Sequence, residues 1–165
     1  MPKKIKAILL TLLLYNLLLS CDSKAVFNEY QTLPNQWQKE NALSFTFEAP
    51  DTTYNYNLYI NLRNNKDYQF NNLYVITALE YPNGKIYVDT LEYKMAAPDG
   101  TLLGEGFSDV KENKLWYKGF NKPFKFNESG NYTFMIEQAM RKYGDVEGIN
   151  ELQGVSEVGF RVEKQ

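Results

Sequence analysis

Cys21 is the residue whose chemistry the sequence defines best. It is the single cysteine among 165 residues, and it directly follows Leu18-Leu19-Ser20. A lipobox has a leucine three residues before a cysteine and a small residue directly before that cysteine. The cysteine of a lipobox carries diacylglycerol, and each acyl CH₂ buried in a bilayer contributes about 0.8 kcal/mol. We therefore predict that Cys21 is the lipid-attachment site and the first residue of the mature chain.

Residues 1–20 have the organisation of an export signal. Three lysines and no acid lie within residues 1–6, and leucine dominates residues 7–19. This apolar run has the length of a signal-peptide core and is shorter than the roughly 20 residues that span a bilayer. We expect residues 1–20 to be a cleaved lipoprotein signal peptide. An ordinary signal peptide followed by an unrelated cysteine, or a short membrane anchor, is the alternative.

The composition excludes several classes of function. The sequence contains no histidine, which removes Ser-His-Asp and Cys-His catalysis and the commonest zinc ligand. With Cys21 lipidated there is no thiol and no disulfide. Because the leader holds three of the 18 basic side chains and none of the 20 acidic ones, the mature part has a net charge of −5, which argues against a nucleic-acid partner. We expect no enzymatic activity, no cofactor and no metal.

Two further groups of residues have side chains suited to chemistry. Glu105, Asp109 and Glu112 are close in sequence, and clustered carboxylates serve acid–base catalysis or calcium binding, although their spacing fits no known calcium loop. The second group is aromatic and would form a sugar-stacking platform if its rings shared one surface. Burial in the core is the favoured reading of these rings. The aromatic group consists of Trp37, Tyr59, Tyr87, Trp116 and Tyr117.

Alternation of apolar and polar residues predicts a β-protein. Period-two patterns indicate half-buried strands, and Pro82-Asn83-Gly84 is a strong hairpin signal between two of them. Residues 101–107 fit a short strand that two glycines weaken. Residues 108–113 fit a turn, and residues 138–140 fit either the end of a strand or a helix. The clearest predicted strands are residues 43–47, 54–62, 73–81, 86–93, 131–140 and 158–162.

These elements define the expected domain organisation. Residues 21–41 are polar and weakly periodic, so we predict a lipidated N-terminal tether there, with a few aromatic residues able to dock on the domain. Residues 42–165 should form one all-β domain, an antiparallel β-sandwich of about eight strands, with jelly-roll connections as one possible arrangement.

Three stretches of the chain resemble the gliding-motility lipoprotein GldH family. The first runs from Ile60 to Asn65 and continues through Tyr68-Gln69-Phe70-Asn71-Asn72-Leu73. The second, and the most specific, runs from Asp89 to Gly100 and on through Gly106-Phe107-Ser108-Asp109 to Lys114-Leu115-Trp116-Tyr117. The third joins Ser129-Gly130-Asn131-Tyr132 to Glu137-Gln138-Ala139-Met140-Arg141 and Val158-Gly159-Phe160-Arg161.

The resemblance implies a non-enzymatic structural or assembly component of the gliding apparatus and its associated protein-secretion machinery. It also implies a lipid-anchored location in the cell envelope, expected at the outer membrane, among other envelope proteins. Loops on a rigid sandwich are common binding sites, so the second stretch is the expected partner-binding region; the alternative is that Trp116 is a core residue and the loop only crosses the end of the sandwich. The competing hypothesis is a surface carbohydrate-binding lipoprotein. The candidate partner-binding residues are Asp99, Asp109, Trp116 and Tyr117.

Overall fold

A computed structural model describes residues 24–106 and 108–165. The predicted signal peptide and Cys21 lie outside the described residues. No helix with the length and apolar character needed to cross a membrane occurs in the described part of the chain.

Ten strands build the described domain. Most of them coincide with the alternating segments of the sequence, in which every second side chain is buried. The strands are β1 (Ala25–Thr32), β2 (Gln36–Gln38), β3 (Leu43–Glu48), β4 (Tyr56–Asn64), β5 (Asn72–Glu80), β6 (Ile86–Lys94), β7 (Lys111–Lys118), β8 (Asn131–Gln138), β9 (Glu151–Gln153) and β10 (Val155–Lys164).

The strands form two packed four-stranded sheets with jelly-roll connections. The first sheet has the order β1-β10-β4-β7, and the second has the order β3-β8-β5-β6. All pairs are antiparallel. The antiparallel pair β1-β10 belongs to the first sheet and the pair β3-β8 to the second. The short pair β2-β9 connects these two pairs, so that they form one continuous two-stranded ribbon that crosses from sheet to sheet. This wrapping of a folded ribbon around one core is the jelly-roll topology, so the predicted all-β antiparallel sandwich is confirmed.

The register places the connections at two ends of the sandwich. Ala25 lies opposite Glu163, Glu163 opposite Asn57, and Leu58 opposite Lys118, so the start of β1, the end of β10, the start of β4 and the end of β7 share one end. We call this the N-terminal end; it comprises residues 24, 49–55, 81–85, 119–130 and 165, with Lys164 at its rim. The opposite end comprises residues 33–42, 65–71, 95–106, 108–110 and 139–150.

From residue 25 onward, the structure corrects the prediction of a tether over residues 21–41. Residues 25–32 form a strand paired along its length with β10, and the ring of Phe27 lies 5.0 Å from that of Phe47. Trp37 is fully buried, and its indole Nε1 donates to the carbonyl oxygen of Asn41 at 3.0 Å. The alternation of β1 is weak because it is an edge strand with only partly buried side chains. The folded domain therefore begins at about residue 25.

Three smaller predictions also change. Residues 101–106 form isolated bridges rather than a strand, since Gly104 and Gly106 have φ of 104° and 144°, which a regular strand excludes. The turn predicted over residues 108–113 ends earlier, because β7 begins at residue 111. Residues 138–140 are not helical: β8 ends at Gln138, and the Ala139 amide donates to the Tyr74 carbonyl at 2.8 Å.

Aromatic rings join the two sheets at the centre of the core. Phe160 of β10 stacks on Phe134 of β8 with ring centroids 4.0 Å apart and an interplanar angle of 14°. Phe45 and Phe47 of β3 lie 6.4 and 5.6 Å from the same ring. Both members of the stacked pair are fully buried. Such pairs add about 0.5–1.5 kcal/mol beyond the burial of their area, so Phe160 is the principal contact between the sheets.

We expect Phe160→Ala to lower the free energy of unfolding by about 3–5 kcal/mol, because it leaves a cavity between the sheets. Phe120→Ala is the matched control: the same atoms are removed from a ring that is 69% exposed, and the expected change is within about 0.5 kcal/mol. Urea denaturation of both variants measures the difference. Equal stability of the two would contradict the assignment of Phe160.

Candidate functional site

The outer face of the first sheet carries a network of polar and charged side chains. Alternation along β4 and β7 turns Leu62 and Asn113 toward the core and places Arg63, Glu112 and Lys114 on the outer face. In soluble sandwiches an outer face usually holds separate, solvated side chains. Here the side chains are connected across all four strands, which makes this face the candidate functional site.

Tyr30 spans the sheet from its edge. Tyr30 lies opposite Gly159 of β10, and Gly159 lies opposite Asn61 of β4. A Cβ atom on Gly159 would lie 2.8 Å from Cδ1 of the Tyr30 ring, so only glycine lets the ring lie flat over β10. The Tyr30 hydroxyl accepts a hydrogen bond from Asn61 Nδ2 at 2.8 Å and donates to Glu112 Oε1 of β7 at 2.6 Å. One side chain thus connects β1 with β4 and β7.

Arg63 completes this network. Its Nε donates to Glu112 Oε2 at 3.1 Å, a second ion pair joins it to Glu157, and its guanidinium lies 4.8 Å from the centroid of the Tyr30 ring. Burial, with the hydrogen bond to Glu112, raises the pKa of Tyr30 to about 12. Burial alone would raise the pKa of Glu112, but the hydrogen bonds from Tyr30 and Arg63 together lower it. Both carboxylate oxygens of Glu112 are engaged, so it is poorly suited to act as a general base.

A second ion cluster lies beside the first. Glu163 of β10 accepts from Lys114 Nζ and from Arg161 Nε, each at 2.6 Å. The Lys114 ammonium also lies 4.1 Å from the centroid of the Tyr59 ring. Burial would raise the pKa of Glu163, and its two cationic partners lower it below the usual value. The basic and acidic groups of this face are therefore fixed in position.

The loop between β6 and β7 turns this face into a cleft. The backbones of Glu105 and Glu112 pair through two hydrogen bonds of 2.8 Å, and Lys111 Nζ donates to the Gly106 carbonyl at 2.7 Å. A Cβ on Gly104 would lie 2.7 Å from the Glu112 carbonyl oxygen, so glycine permits this close approach. The cleft has a volume of about 810 Å³ and is lined by Tyr30, Asn61, Lys94, Leu103, Gly104, Glu105, Gly106, Glu112, Asn113, Lys114, Leu115 and Arg161.

The structure separates the four residues predicted to bind a partner. Trp116 is 39% exposed and follows Lys114 on the outer face, where its ring packs on Tyr59 at 4.5 Å. Tyr117 points inward and lies 5.0 Å from Phe134, so its ring is not available to a partner. Asp99 caps a turn by accepting from the Thr101 amide at 2.9 Å, which lowers its pKa. Asp99 and Asp109 are exposed on the loop and do not line the cleft.

The two other candidate groups are also dispersed. Glu112 is held by Tyr30 and Arg63, and no group of three His, Cys, Asp or Glu side chains arranged to hold a metal ion occurs within residues 24–106 and 108–165. Among the aromatic residues, Trp37 and Tyr59 are buried, and Tyr87 lies on the second sheet. Of the five rings considered for a sugar platform, only Tyr59 and Trp116 share a face, so the group does not form one platform.

Sequence reasoning missed Tyr30, Asn61 and Arg63 as members of the site. They meet Glu112 only because the register of β1, β10, β4 and β7 aligns residues far apart in sequence. One local signal was present: Gly159 interrupts the alternating strand Val158–Val162, and a glycine inside a strand often marks a close approach by another group.

Comparison with known proteins gives the family. A profile described as "GldH lipoprotein" matches residues 25–162. The chain belongs to the GldH lipoprotein family. The "Gliding motility lipoprotein GldH homolog" of Christiangramia forsetii is 52% identical over 145 residues, which cover 88% of this chain and 87% of the relative. The "Gliding motility lipoprotein GldH" of Flavobacterium johnsoniae is 48% identical over 149 residues, which cover 90% and 91%. The family resemblance inferred from the three sequence stretches is thus confirmed.

Solved structures are more distant. The crystal structure of the infectious bursal disease virus VP2 subviral particle aligns with a TM-score of 0.35 and 13% identity, covering 87% of this chain and 34% of that one. The chain thus spans about a third of the viral protein, and the similarity is too low to support a functional argument.

Tyr30→Phe should lower the free energy of unfolding by about 1–2 kcal/mol, because it leaves Asn61 and Glu112 without a shared hydroxyl partner in a partly buried network. Tyr143→Phe is the control, since Tyr143 is fully exposed at 106%, and removal of its hydroxyl should change little. Thermal and urea unfolding of both variants test this. Equal effects would show that the network does not contribute to stability.

The network should also make stability depend on acidity. The folded-state pKa values of Glu112 and Glu163 are lowered from a reference of 4.5, so these carboxylates stabilise the fold above that pH, and the contribution is lost as pH falls below it. We expect the urea concentration at the unfolding midpoint to decrease as the pH is lowered from about 5 to about 3. The double variant Glu112→Gln, Glu163→Gln should show a smaller fall over the same range; an unchanged fall would assign the effect to other carboxylates.

Proposed function

We propose that this protein is a non-enzymatic structural or assembly component of the gliding-motility apparatus and its associated protein-secretion machinery. It is held to the cell envelope by lipid on Cys21, at the outer membrane, and contacts other envelope proteins through the cleft on its first sheet. The observation that carries this proposal is the match, along almost the whole chain, to two proteins named for gliding motility.

The chemistry of the cleft supports binding rather than catalysis. Glu112, which lines the cleft, is paired with Arg63, and Glu163 beside the cleft is paired with Lys114 and Arg161. Preorganised charges of both signs suit recognition of a polar protein surface, because complementary charges fix orientation and raise the association rate.

Trp116 provides an apolar contact beside these charges. Its ring rests on buried Tyr59 and touches Phe120 at 5.1 Å, so its position is fixed before a partner arrives. Tryptophan is enriched among the residues that contribute most to protein interfaces. Lys94, on the other side of the cleft, comes from β6 and adds positive charge. Together they offer an anchor and a charged rim to one partner.

The proposal is tested by deleting the gene in its own bacterium and complementing it with variants. The deletion should abolish surface spreading or cargo secretion, and both Cys21→Ser and Trp116→Ala should fail to restore it. Tyr87→Ala is the matched control, because Tyr87 is 43% exposed, much as Trp116 is, but lies on the other sheet. Trp116→Phe, which keeps an aromatic ring on Tyr59, should restore function.

Normal spreading together with normal secretion in the deletion strain would refute the proposed role. Full complementation by Trp116→Ala would instead refute only the use of this cleft. Immunoblotting of each variant verifies that it accumulates, and binding assays with polysaccharides, for which we expect no affinity, separate this role from a carbohydrate-binding one.

A further inference from the structure

The distance between Cys21 and the folded domain is short. Lys24 is the first described residue, and β1 begins at Ala25. An extended chain advances at most about 3.5 Å per residue, so three steps from Cys21 reach about 11 Å from the Cα of Lys24. This argument rests on the proposed lipid attachment at Cys21. If that attachment is correct, the N-terminal end of the sandwich must lie next to the membrane surface.

Hydrogen bonds make the N-terminal end one rigid surface. The Lys164 amide donates to the Lys24 carbonyl at 3.0 Å, and the Gln165 amide donates to the Asn55 carbonyl at 3.0 Å. The Gln165 side chain donates to the Gly119 carbonyl at 3.2 Å. The start of β1, the loop before β4 and the loop after β7 are therefore tied together through the last two residues of the chain.

Apolar side chains project from this surface. Phe120 is 69% exposed and Tyr54 is 43% exposed. A Cβ on Gly119 would lie 2.5 Å from the Tyr56 carbonyl oxygen, so glycine, at φ 102°, permits the turn that leads to Phe120, whose ring packs on Trp116 at 5.1 Å. Aromatic residues are enriched at the level of lipid headgroups.

Charge separates this end from the other. Within the loops assigned to the N-terminal end, four lysines accompany two acidic side chains, and Lys164 adds a fifth lysine at the rim, whereas the opposite end has seven acidic and four basic side chains. The Lys164 ammonium lies 3.0 Å from the centroid of the Tyr54 ring, which combines a cation with an aromatic at the surface. The lysines are Lys24, Lys85, Lys122, Lys125 and Lys164, and the acids of the same end are Asp51 and Glu128.

We propose that the N-terminal end is a membrane-docking surface. It lies on the phospholipid headgroups of the leaflet that holds the Cys21 lipid, with Phe120 at headgroup depth and the lysines next to lipid phosphates. Long lysine side chains reach phosphates while their stems cover apolar surface, and juxtamembrane lysines bind anionic lipid. The acidic opposite end then points away from the bilayer, and the cleft face, which runs between the two ends, stays open to partners.

The test uses the full lipidated chain in vesicles of phosphatidylethanolamine and phosphatidylglycerol that carry bromine on the upper acyl chain. Phe120→Trp is compared with Tyr143→Trp, which places the same fluorophore at the opposite end on a fully exposed residue. The fluorescence of the native chain, which comes from its two tryptophans, is subtracted from that of each variant to give the emission of the added tryptophan. We expect at least about a twofold loss of the added emission for Phe120→Trp, and almost none for Tyr143→Trp.

The contribution of the lysines is tested by the same bromine quenching of the tryptophan at position 120. Lys122→Glu with Lys125→Glu should weaken the quenching of Phe120→Trp by about twofold or more, whereas Lys66→Glu with Lys142→Glu, at the opposite end, should not.

The outcomes separate this inference from the proposed function. Vesicle flotation reports anchoring independently of orientation, and Cys21→Ser should not float. If the native chain floats but Phe120→Trp and Tyr143→Trp are quenched equally, or neither is quenched, membrane docking is refuted while lipid anchoring is supported. If the native chain does not float, lipid anchoring fails and the docking inference fails with it. Equal effects of the two lysine pairs would refute the charge contribution.

Discussion

Contact between the two sheets depends on Phe160. Its ring stacks on Phe134 and lies within 6.4 Å of the rings of Phe45 and Phe47, and these belong to the other sheet. With no disulfide available, stability comes from burial of this kind. Phe160 lies on β10 and Phe45 on β3, so the core is completed only when residues far apart in sequence meet. Sandwiches built from such long-range pairings fold more slowly than proteins with local contacts.

The same strand also builds the cleft. Val158, Phe160 and Val162 of β10 are fully buried, while the residues between them face outward: Gly159 makes room for the Tyr30 ring, and Arg161 pairs with Glu163 at the strand end. A shift of β10 by one residue would exchange its two faces. Core and cleft are therefore not independent, and a core mutation that moves β10 would also misplace the network around Glu112.

The sequence predicts the strands much better than the site. Strands such as β3 and β8 alternate strictly because one face is buried, and they were predicted correctly. β1 was missed because its edge position leaves the alternation weak, and β2 and β9 are too short for any periodic signal. Tyr30 and Glu112 are 82 residues apart in sequence and meet only through the register of four strands. No local sequence pattern predicts that contact. Exposure of Trp116 and burial of Tyr117 also follow from the strand phase.

The pairing of β1 with β10 brings Lys24 and Gln165 to one end of the domain. Gln165 hydrogen-bonds to Asn55 and Gly119, so a reporter protein fused after Gln165 would lie at the N-terminal end, next to Lys24. The loop of residues 141–148 at the far end, where Tyr143 and Val146 are almost fully solvent-exposed, offers a better insertion point for an epitope or fluorophore. Imaging of this protein in cells would then leave its attachment geometry intact.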